Sequence, residues 1–296
     1  MSLAPRAVVV HRSTEYQELL ARHGTHGQAA HFLATRDQDI AEVVESHRLA
    51  TRALAVATAR IPFDWRRAKV ERAGLDRFLF APEDVVLVVG QDGLVANAAK
   101  YLSGQPVIGV NPDPRRNPGV LVRHTAPDAS WLLVEALADA RGAEHLTMVE
   151  AVADDSQRLL ALNEVFLGPP SHQTARYTLA EEGGPPETQA SSGVLVGTGA
   201  GATGWLRSVW QERHSALPLP ARGDRTLIWF VREAWPSPAT GTSRVSGVLT
   251  ADRRLTLTVR TERLTAFGDG IESDALDLTW GQTVRIGVAE TALRLM

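Results

Sequence analysis

The sequence predicts an α/β domain with a parallel sheet, followed by a mostly antiparallel β domain. Three observations lead there. Val85-Val86-Leu87-Val88-Val89 is a short, uninterrupted β-branched run of the kind that forms a strand buried on both faces. It passes through Gly90-Gln91-Asp92-Gly93 into a helix-prone stretch, Leu94 to Leu102, and then into a second buried run, Pro106-Val107-Ile108-Gly109-Val110. Strand, tight turn, helix and strand make a βαβ unit, which implies a parallel sheet. After about Leu121 the text changes to short alternating segments separated by turns, such as Leu255-Thr256-Leu257-Thr258-Val259.

The elements follow in order. Ala7-Val8-Val9-Val10 reads as a buried strand, and Tyr16 to His23 and Asp37 to Ala59 carry helical patterning. Arg60 to Phe80 gives no clear period, and Pro82-Glu83-Asp84 punctuates before the Val85 run. Ala129 to Ala140 reads as one helix. Strands are then expected at Arg158 to Phe166, Ala175 to Leu179, Val194 to Val196, Leu227 to Val231, Val245 to Leu249, Leu255 to Val259 and Thr283 to Val288. Gly183 to Pro186 and Ala234 to Thr242 read as exposed loops. The expected division is 1–122 for the α/β domain and 123–296 for the β-rich domain, with the last strand free to return to the first.

Composition narrows the function. Of 296 residues, 44% are hydrophobic and 22% charged, with net charge -3 and pI near 6.3. A general nucleic-acid or anionic-membrane binder draws its affinity from clustered positive charge, so neither partner is expected. With no cysteine, disulfides, thiolate catalysis and Cys-ligated metals are excluded. No apolar stretch of signal-peptide length opens the chain and none spans a bilayer, so a cytoplasmic location is expected. The nine histidines, His23, His26 and His31 among them, show no metal spacing, and no metal-ligating residue is assigned. Walker A, G-x-S-x-G and H-E-x-x-H patterns are absent.

Four segments carry candidate chemistry. Gly90 to Gly93 lies at the carboxyl end of the best strand, where open α/β sheets bind ligands. Glycines let the backbone approach a phosphate, and helix N-terminal N–H groups favour anions. Asp92 in that turn suits a base or a metal-bridging group, although Asp-Gly alone is also a common turn dipeptide. Asn163-Glu164 places an amide and a carboxylate side by side in an apolar segment, suited either to a sheet rim or to a ribose or purine amine. Ser191 to Trp205 opens from a strand into small residues and closes on an indole. Gly199, Gly201 and Gly204 match G-x-G-x-x-G, but no βαβ unit and no acidic residue about 20 positions on accompany them, so the dinucleotide fingerprint is rejected. A groove for a flat ligand, or a plain flexible loop, remains. Phe267-Gly268-Asp269-Gly270 reads as a turn.

In this order and spacing the segments resemble the NAD kinase family. That family has a GGDG turn, a strand ending in G-[IV]-N, an N-E pair and a Gly/Ser/Thr-rich segment ending in an aromatic. Here they stand as Gly90 to Gly93, Gly109-Val110-Asn111, Asn163-Glu164 and Thr198 to Trp205. The mitochondrial-type branch is most similar, through Gly109-Val110-Asn111-Pro112-Asp113-Pro114 with Arg116 and Gly119, Ala161 to Gly168, Ser191-Ser192-Gly193 and Val231-Arg232-Glu233. The resemblance covers most of Val8 to Ile286 and implies an NAD kinase-like fold.

It also implies phosphoryl transfer from ATP or another donor, with Mg²⁺, to the adenosine-ribose 2′-hydroxyl of NAD. Asp92 would be the catalytic base. Gly90, Gln91, Gly93, Asn111, Arg116, Asn163, Glu164, Ser192, Thr198, Ala200, Thr203, Gly204, Trp205 and Ser208 would line the NAD and ATP sites. A homodimer or tetramer is implied by analogy. Gln91 stands where the family has a glycine, and Leu94 where it usually has Thr. Those two positions favour the alternative of a catalytically weak NAD(P)-binding or sensing protein on the same scaffold. A lipid kinase of the wider superfamily, which shares the turn, is a further alternative; Asn163-Glu164 and the Thr198 to Trp205 segment favour NAD over a lipid.

Overall fold

A computed structural model describes residues 4–138 and 142–296; the last two residues of the helix expected over Ala129 to Ala140 lie outside the described residues. The chain forms two compact units. One takes residues up to 98 with 105–143 and 294–296, and the other takes 99–104 and 144–293.

The first unit is wound on a parallel sheet. Strand β1 (Arg6–His11) leads to helices α1 (Glu15–His23), α2 (His26–Ala34) and α3 (Ile40–Ala59), then to β2 (Arg66–Glu71). A 3₁₀ segment, Arg72–Arg77, precedes β3 (Asp84–Val89), α4 (Asp92–Ala99) and β4 (Pro106–Val110). After α5 (Ala129–Leu137), the chain leaves to build the second unit and returns for β18 (Leu293–Leu295). Strands run in the order β2-β1-β3-β4-β18, with each of these pairings parallel. From β1 the chain winds one way to β2 and the other way to β3, so the sheet has a switch point between β1 and β3. The Gly90 turn follows the carboxyl end of β3.

Local sequence explains these elements. Thr14 opens α1 with a reciprocal capping box to Gln17, and Thr25 caps α2 through Gln28 N–H. Helix α2 falls between the two stretches expected as helical, Tyr16 to His23 and Asp37 to Ala59; it is held by Ala29 and Leu33, which pack with Leu19 of α1. Strand β2, Arg-Arg-Ala-Lys-Val-Glu, carries charge because it is an edge strand, and only Val70 of the six is buried. Strand β3 is buried throughout, as its β-branched run requires.

The second unit is a sandwich. Strand β5 (Glu144–Leu146) is the edge strand of the first sheet, next to β18. The sandwich is built from β6 (Val149–Ala153), β7 (Arg158–Ala161), β8 (Glu164–Gly168), β9 (Ala175–Glu181), β10 (Glu187–Ser191) and β11 (Gly193–Gly197). Helix α6 (Trp205–Glu212) intervenes before β12 (Thr226–Arg232), β13 (Ser246–Thr250), β14 (Arg254–Val259), β15 (Arg263–Gly268), β16 (Ile271–Thr279) and β17 (Thr283–Val288). Two antiparallel sheets, β10-β9-β14-β17-β6-β7 and β13-β12-β11-β8-β15-β16, bury Tyr177, Trp229, Leu257 and Ile286 in one shared core. Helix α6 lays Leu206 and Val209 against Leu195, Ile228 and Phe230 on the other face of the second sheet. Among the described residues no helix is long and apolar enough to cross a membrane.

The segment expected as one strand from Arg158 to Phe166 is two. Strand β7 pairs with β6 in one sheet, whereas β8 pairs with β11 and β15 in the other. Leu162-Asn163 is the corner where the chain changes sheets.

Gly109 supplies a stability prediction. A Cβ there would stand 2.2 Å from the Leu121 carbonyl oxygen and 2.8 Å from Val122 Cα. Backbone would have to move, at an overpacking cost of roughly 1–3 kcal/mol. Gly109→Ala should therefore lower the Tm by several degrees in calorimetry; an unchanged Tm would refute this packing constraint.

Candidate functional site

The sequence-predicted site residues fall into two groups, one on each unit. In the first, the Gly90-Gln91-Asp92-Gly93 turn joins β3 to α4, and Asp92 begins the helix. Asp92 is firmly engaged. Its Oδ1 accepts N–H bonds from Leu121 at 2.8 Å and Val122 at 2.9 Å, and its Oδ2 accepts one from Val120 at 2.8 Å. An ionised carboxylate offers about four acceptor positions, so these three bonds leave room for one more donor, such as a hydroxyl.

The loop that Asp92 grips is built by Asn111. Asn111 Nδ2 donates to the Asn117 carbonyl at 2.7 Å, and its Oδ1 accepts from Asp113 N–H at 3.0 Å. His124 rejoins the sheet by donating its N–H to Gly109 and accepting from Asn111. Gln91 is exposed and its Nε2 lies 3.4 Å from Asn117 Oδ1, so its side chain leans from the turn towards the Asn111–Gly119 loop. Arg116 is exposed near Glu42 and Asp113 at 3.5 and 3.9 Å. Gly93 has open space where a Cβ would be. Leu94 is buried and covers Gly90, where a Cβ would meet its Cδ2 at 2.8 Å.

The second group gathers at the sheet-to-sheet corner. A corner leaves backbone groups without ladder partners, and each needs another one. Thr198, following β11, takes both carbonyls: its Oγ1 donates to Leu162 O at 2.5 Å and its N–H to Asn163 O at 2.9 Å. Asp269 takes the amides, accepting from Leu162 at 2.7 Å, Asn163 at 2.8 Å and Glu164 at 3.4 Å. Gly201 fits because it lacks a side chain; its Cβ would lie 2.4 Å from Asn163 O and 3.1 Å from Glu164 Oε2.

This arrangement leaves the Asn163 and Glu164 side chains half-buried. Among the described residues no hydrogen bond or ion pair to the Glu164 carboxyl is present. Burial, reinforced by the charge of Asp269, pushes that carboxyl up to about 8. Burial also raises Asp269 to about 6, against the opposing pull of the Leu162, Asn163 and Glu164 N–H donors and of Lys100. Two neighbouring carboxyls with raised pKa values are a physical mark of a functional site.

The Gly-rich segment frames one side of the corner. Ala200 is buried with its N–H on Thr198 Oγ1 at 3.1 Å, while Thr203 is exposed and donates to Ala200 O. Exposed Gly204 caps α6, and Ser208 is exposed one turn on. Trp205 packs on Phe166 with ring centroids 5.1 Å apart, and the Arg232 guanidinium sits 5.6 Å from its ring. Ser192 is half-buried and donates its N–H to Arg232 O at 2.9 Å. Asp269, read in the sequence as part of a plain turn, is the residue that reading missed; no local spacing could connect it with Leu162, 107 positions away.

No protein-family model matches the chain. It is 25% identical over 250 residues to NAD kinase 2, mitochondrial, of Rattus norvegicus, an alignment covering 68% of this chain and 59% of that protein. The Homo sapiens protein of the same name is also 25% identical over 250 residues, covering 68% of this chain and 57% of its own length. The crystal structure of an NAD kinase from Archaeoglobus fulgidus in complex with ATP superposes with a TM-score of 0.55 and 15% identity, covering 98% of this chain and 92% of that one. The chain has the NAD kinase fold and is related to that family. It spans less than two thirds of the length of the mitochondrial relatives.

Proposed function

We propose that the chain is an NAD kinase, transferring a phosphoryl group from ATP or another donor to the 2′-hydroxyl of the adenosine ribose of NAD to give NADP. The observation that carries this reading is the Asn163-Glu164 corner. Its backbone is fully engaged, while the Glu164 carboxyl is raised to about 8 and lacks a protein partner among the described residues. Such a group suits a ligand with hydroxyl or amino functions, because a neutral carboxyl both donates and accepts. The family relatives and the shared fold support NAD as that ligand.

Asp92 is assigned as general base and Asn163 and Glu164 as the dinucleotide grip, with Thr203, Gly204 and Trp205 alongside. The Gly90–Gly93 turn and the start of α4 offer backbone N–H groups to donor phosphates. Phosphoryl transfer asks for positioning, charge neutralisation and a base within reach of the attacking hydroxyl. Among the described residues no group of three or more His, Asp or Glu is set to hold a metal ion. Mg²⁺ characteristically binds substrate phosphates with one or two carboxylates, and in that form it would neutralise phosphate charge.

Asn163→Ala tests the grip. Lost hydrogen bonds of about 1.5 kcal/mol or more should weaken NAD binding roughly tenfold in calorimetry; unchanged affinity removes Asn163 from the site. Gln91→Gly tests the turn. The Gln91 side chain reaches to Asn117, and a glycine in its place would bare the turn's backbone to a phosphate. Its removal should raise kcat/KM for ATP by roughly tenfold, about 1.4 kcal/mol of barrier. A fall instead would make Gln91 a donor to the phosphate.

Gln91 and Leu94 also favour a second reading, in which the same scaffold binds NAD without efficient transfer. Leu94 packs its side chain against Gly90, at the position where the family it resembles usually has the hydroxyl of a Thr. NAD binding without NADP formation from any donor would establish it.

A further inference from the structure

We infer that Asp269 is the positioning residue of the Asn163-Glu164 corner, and that the β15–β16 turn is therefore part of the dinucleotide site. This rests on the reading of Asn163 and Glu164 as the NAD grip. An Asp in a hairpin turn ordinarily bonds its own turn, within a few residues. Asp269 instead turns its carboxylate onto three consecutive amides that are 107, 106 and 105 positions earlier in the chain. Those amides span the point where the chain changes sheets: Leu162 and Asn163 lie outside both ladders, and Glu164 is the first residue of β8. With Thr198 on the carbonyl side, Asp269 fixes the peptide planes that aim Asn163 and Glu164.

The turn is itself braced. Asp269 and Gly270 have φ of 53° and 67°, the positive pair that a two-residue hairpin needs. Asp269 N–H donates back to Glu164 O at 3.3 Å. Lys100, buried, donates to Gly268 O at 3.1 Å and pairs with Asp274 Oδ1 at 2.7 Å, and Tyr101 OH donates to Asp274 Oδ2 at 2.6 Å. Among the described residues, the Glu164 carboxyl and the Lys100 ammonium both act on Asp269, with Asp274 paired to Lys100. A carboxylate is needed because both of its oxygens act as acceptors: Oδ2 serves Leu162, and Oδ1 serves Asn163 and Glu164. An amide would present a donor to one of those N–H groups.

The test compares the full chain with Asp269→Asn in two independent measurements. Hydrogen exchange without NAD should find the Leu162, Asn163 and Glu164 amides protected in the parent and exchanging about tenfold faster or more in the variant. Steady-state kinetics should find KM for NAD raised about tenfold, with kcat and KM for ATP nearly unchanged, a split that general destabilisation would not produce. Equal NAD KM in the two proteins, or exchange at the parent's three amides as fast as in exposed loops, overturns the inference. If Asp269→Asn does not fold, the parent's exchange pattern decides it. A parent that binds no NAD yet has the protected amides refutes the dinucleotide reading while supporting the Asp269 clamp.

Discussion

Asp92→Asn should lower the rate of NADP formation by roughly 10²–10⁴, the usual contribution of a positioned base. The geometry adds a structural consequence. Asp92 also holds the loop through the Val120, Leu121 and Val122 amides, and an Asn side chain would keep an acceptor for only part of that set. The lost bond costs on the order of 1–3 kcal/mol where it is shielded from water, so a modest fall in Tm accompanies the loss of rate. NAD affinity should change little, since Asn163 and Glu164 are untouched. Single-turnover rates, NAD calorimetry and a melting curve separate these effects. A rate within a few-fold of the parent, with the same fall in Tm, would make Asp92 a loop clamp and no base.

Glu164→Gln should make the protein more stable at alkaline pH. Glu164 titrates near 8 in the folded state, above the ordinary 4.5, and Asp269 near 6, above 3.8. Between each pair of values the folded protein holds a proton that the unfolded chain has released. Stability from these groups is complete below the unfolded values and is lost as pH rises through about 6 and then about 8. At about 1.4 kcal/mol per pH unit, the loss attached to Glu164 is on the order of a few kcal/mol by pH 8–9. An amide side chain at this position would keep the shape without that burden, so the variant's Tm should exceed the parent's at pH 9 and match it near pH 5. Parallel Tm curves for the two proteins from pH 5 to 9 would contradict the raised Glu164 pKa. The same substitution should weaken NAD binding, since a carboxyl and an amide offer different donors.

What the sequence made legible follows from how local the controlling physics is. Strands β3 and β4 and the turn between β3 and α4 are set by runs of β-branched residues and by Gly and Asp within a few positions, and all could be read directly. Strand β2 escaped because an edge strand bearing Arg66, Arg67 and Lys69 buries little and alternates weakly. Helix α2 escaped because nine residues with two buried anchors, Ala29 and Leu33, do not establish a period. The break between β7 and β8 had a local signal, the polar Asn163-Glu164 pair inside an apolar run, but its cause is the change of sheet, which only tertiary pairing determines. The candidate site divides the same way. Gly90 to Gly93 and Asn163-Glu164 were visible as motifs, whereas the Asp269 bonds to Leu162 and Asn163 depend on a contact across more than a hundred residues.

The most direct test of the central claim is NADP production by the purified full chain from NAD and Mg²⁺, with ATP and inorganic polyphosphate tried as donors. We expect NADP to form with at least one donor, at a rate that collapses in Asp92→Asn and shows a raised NAD requirement in Asn163→Ala. No NADP from the parent or from Gln91→Gly with any donor would contradict the assignment as an NAD kinase.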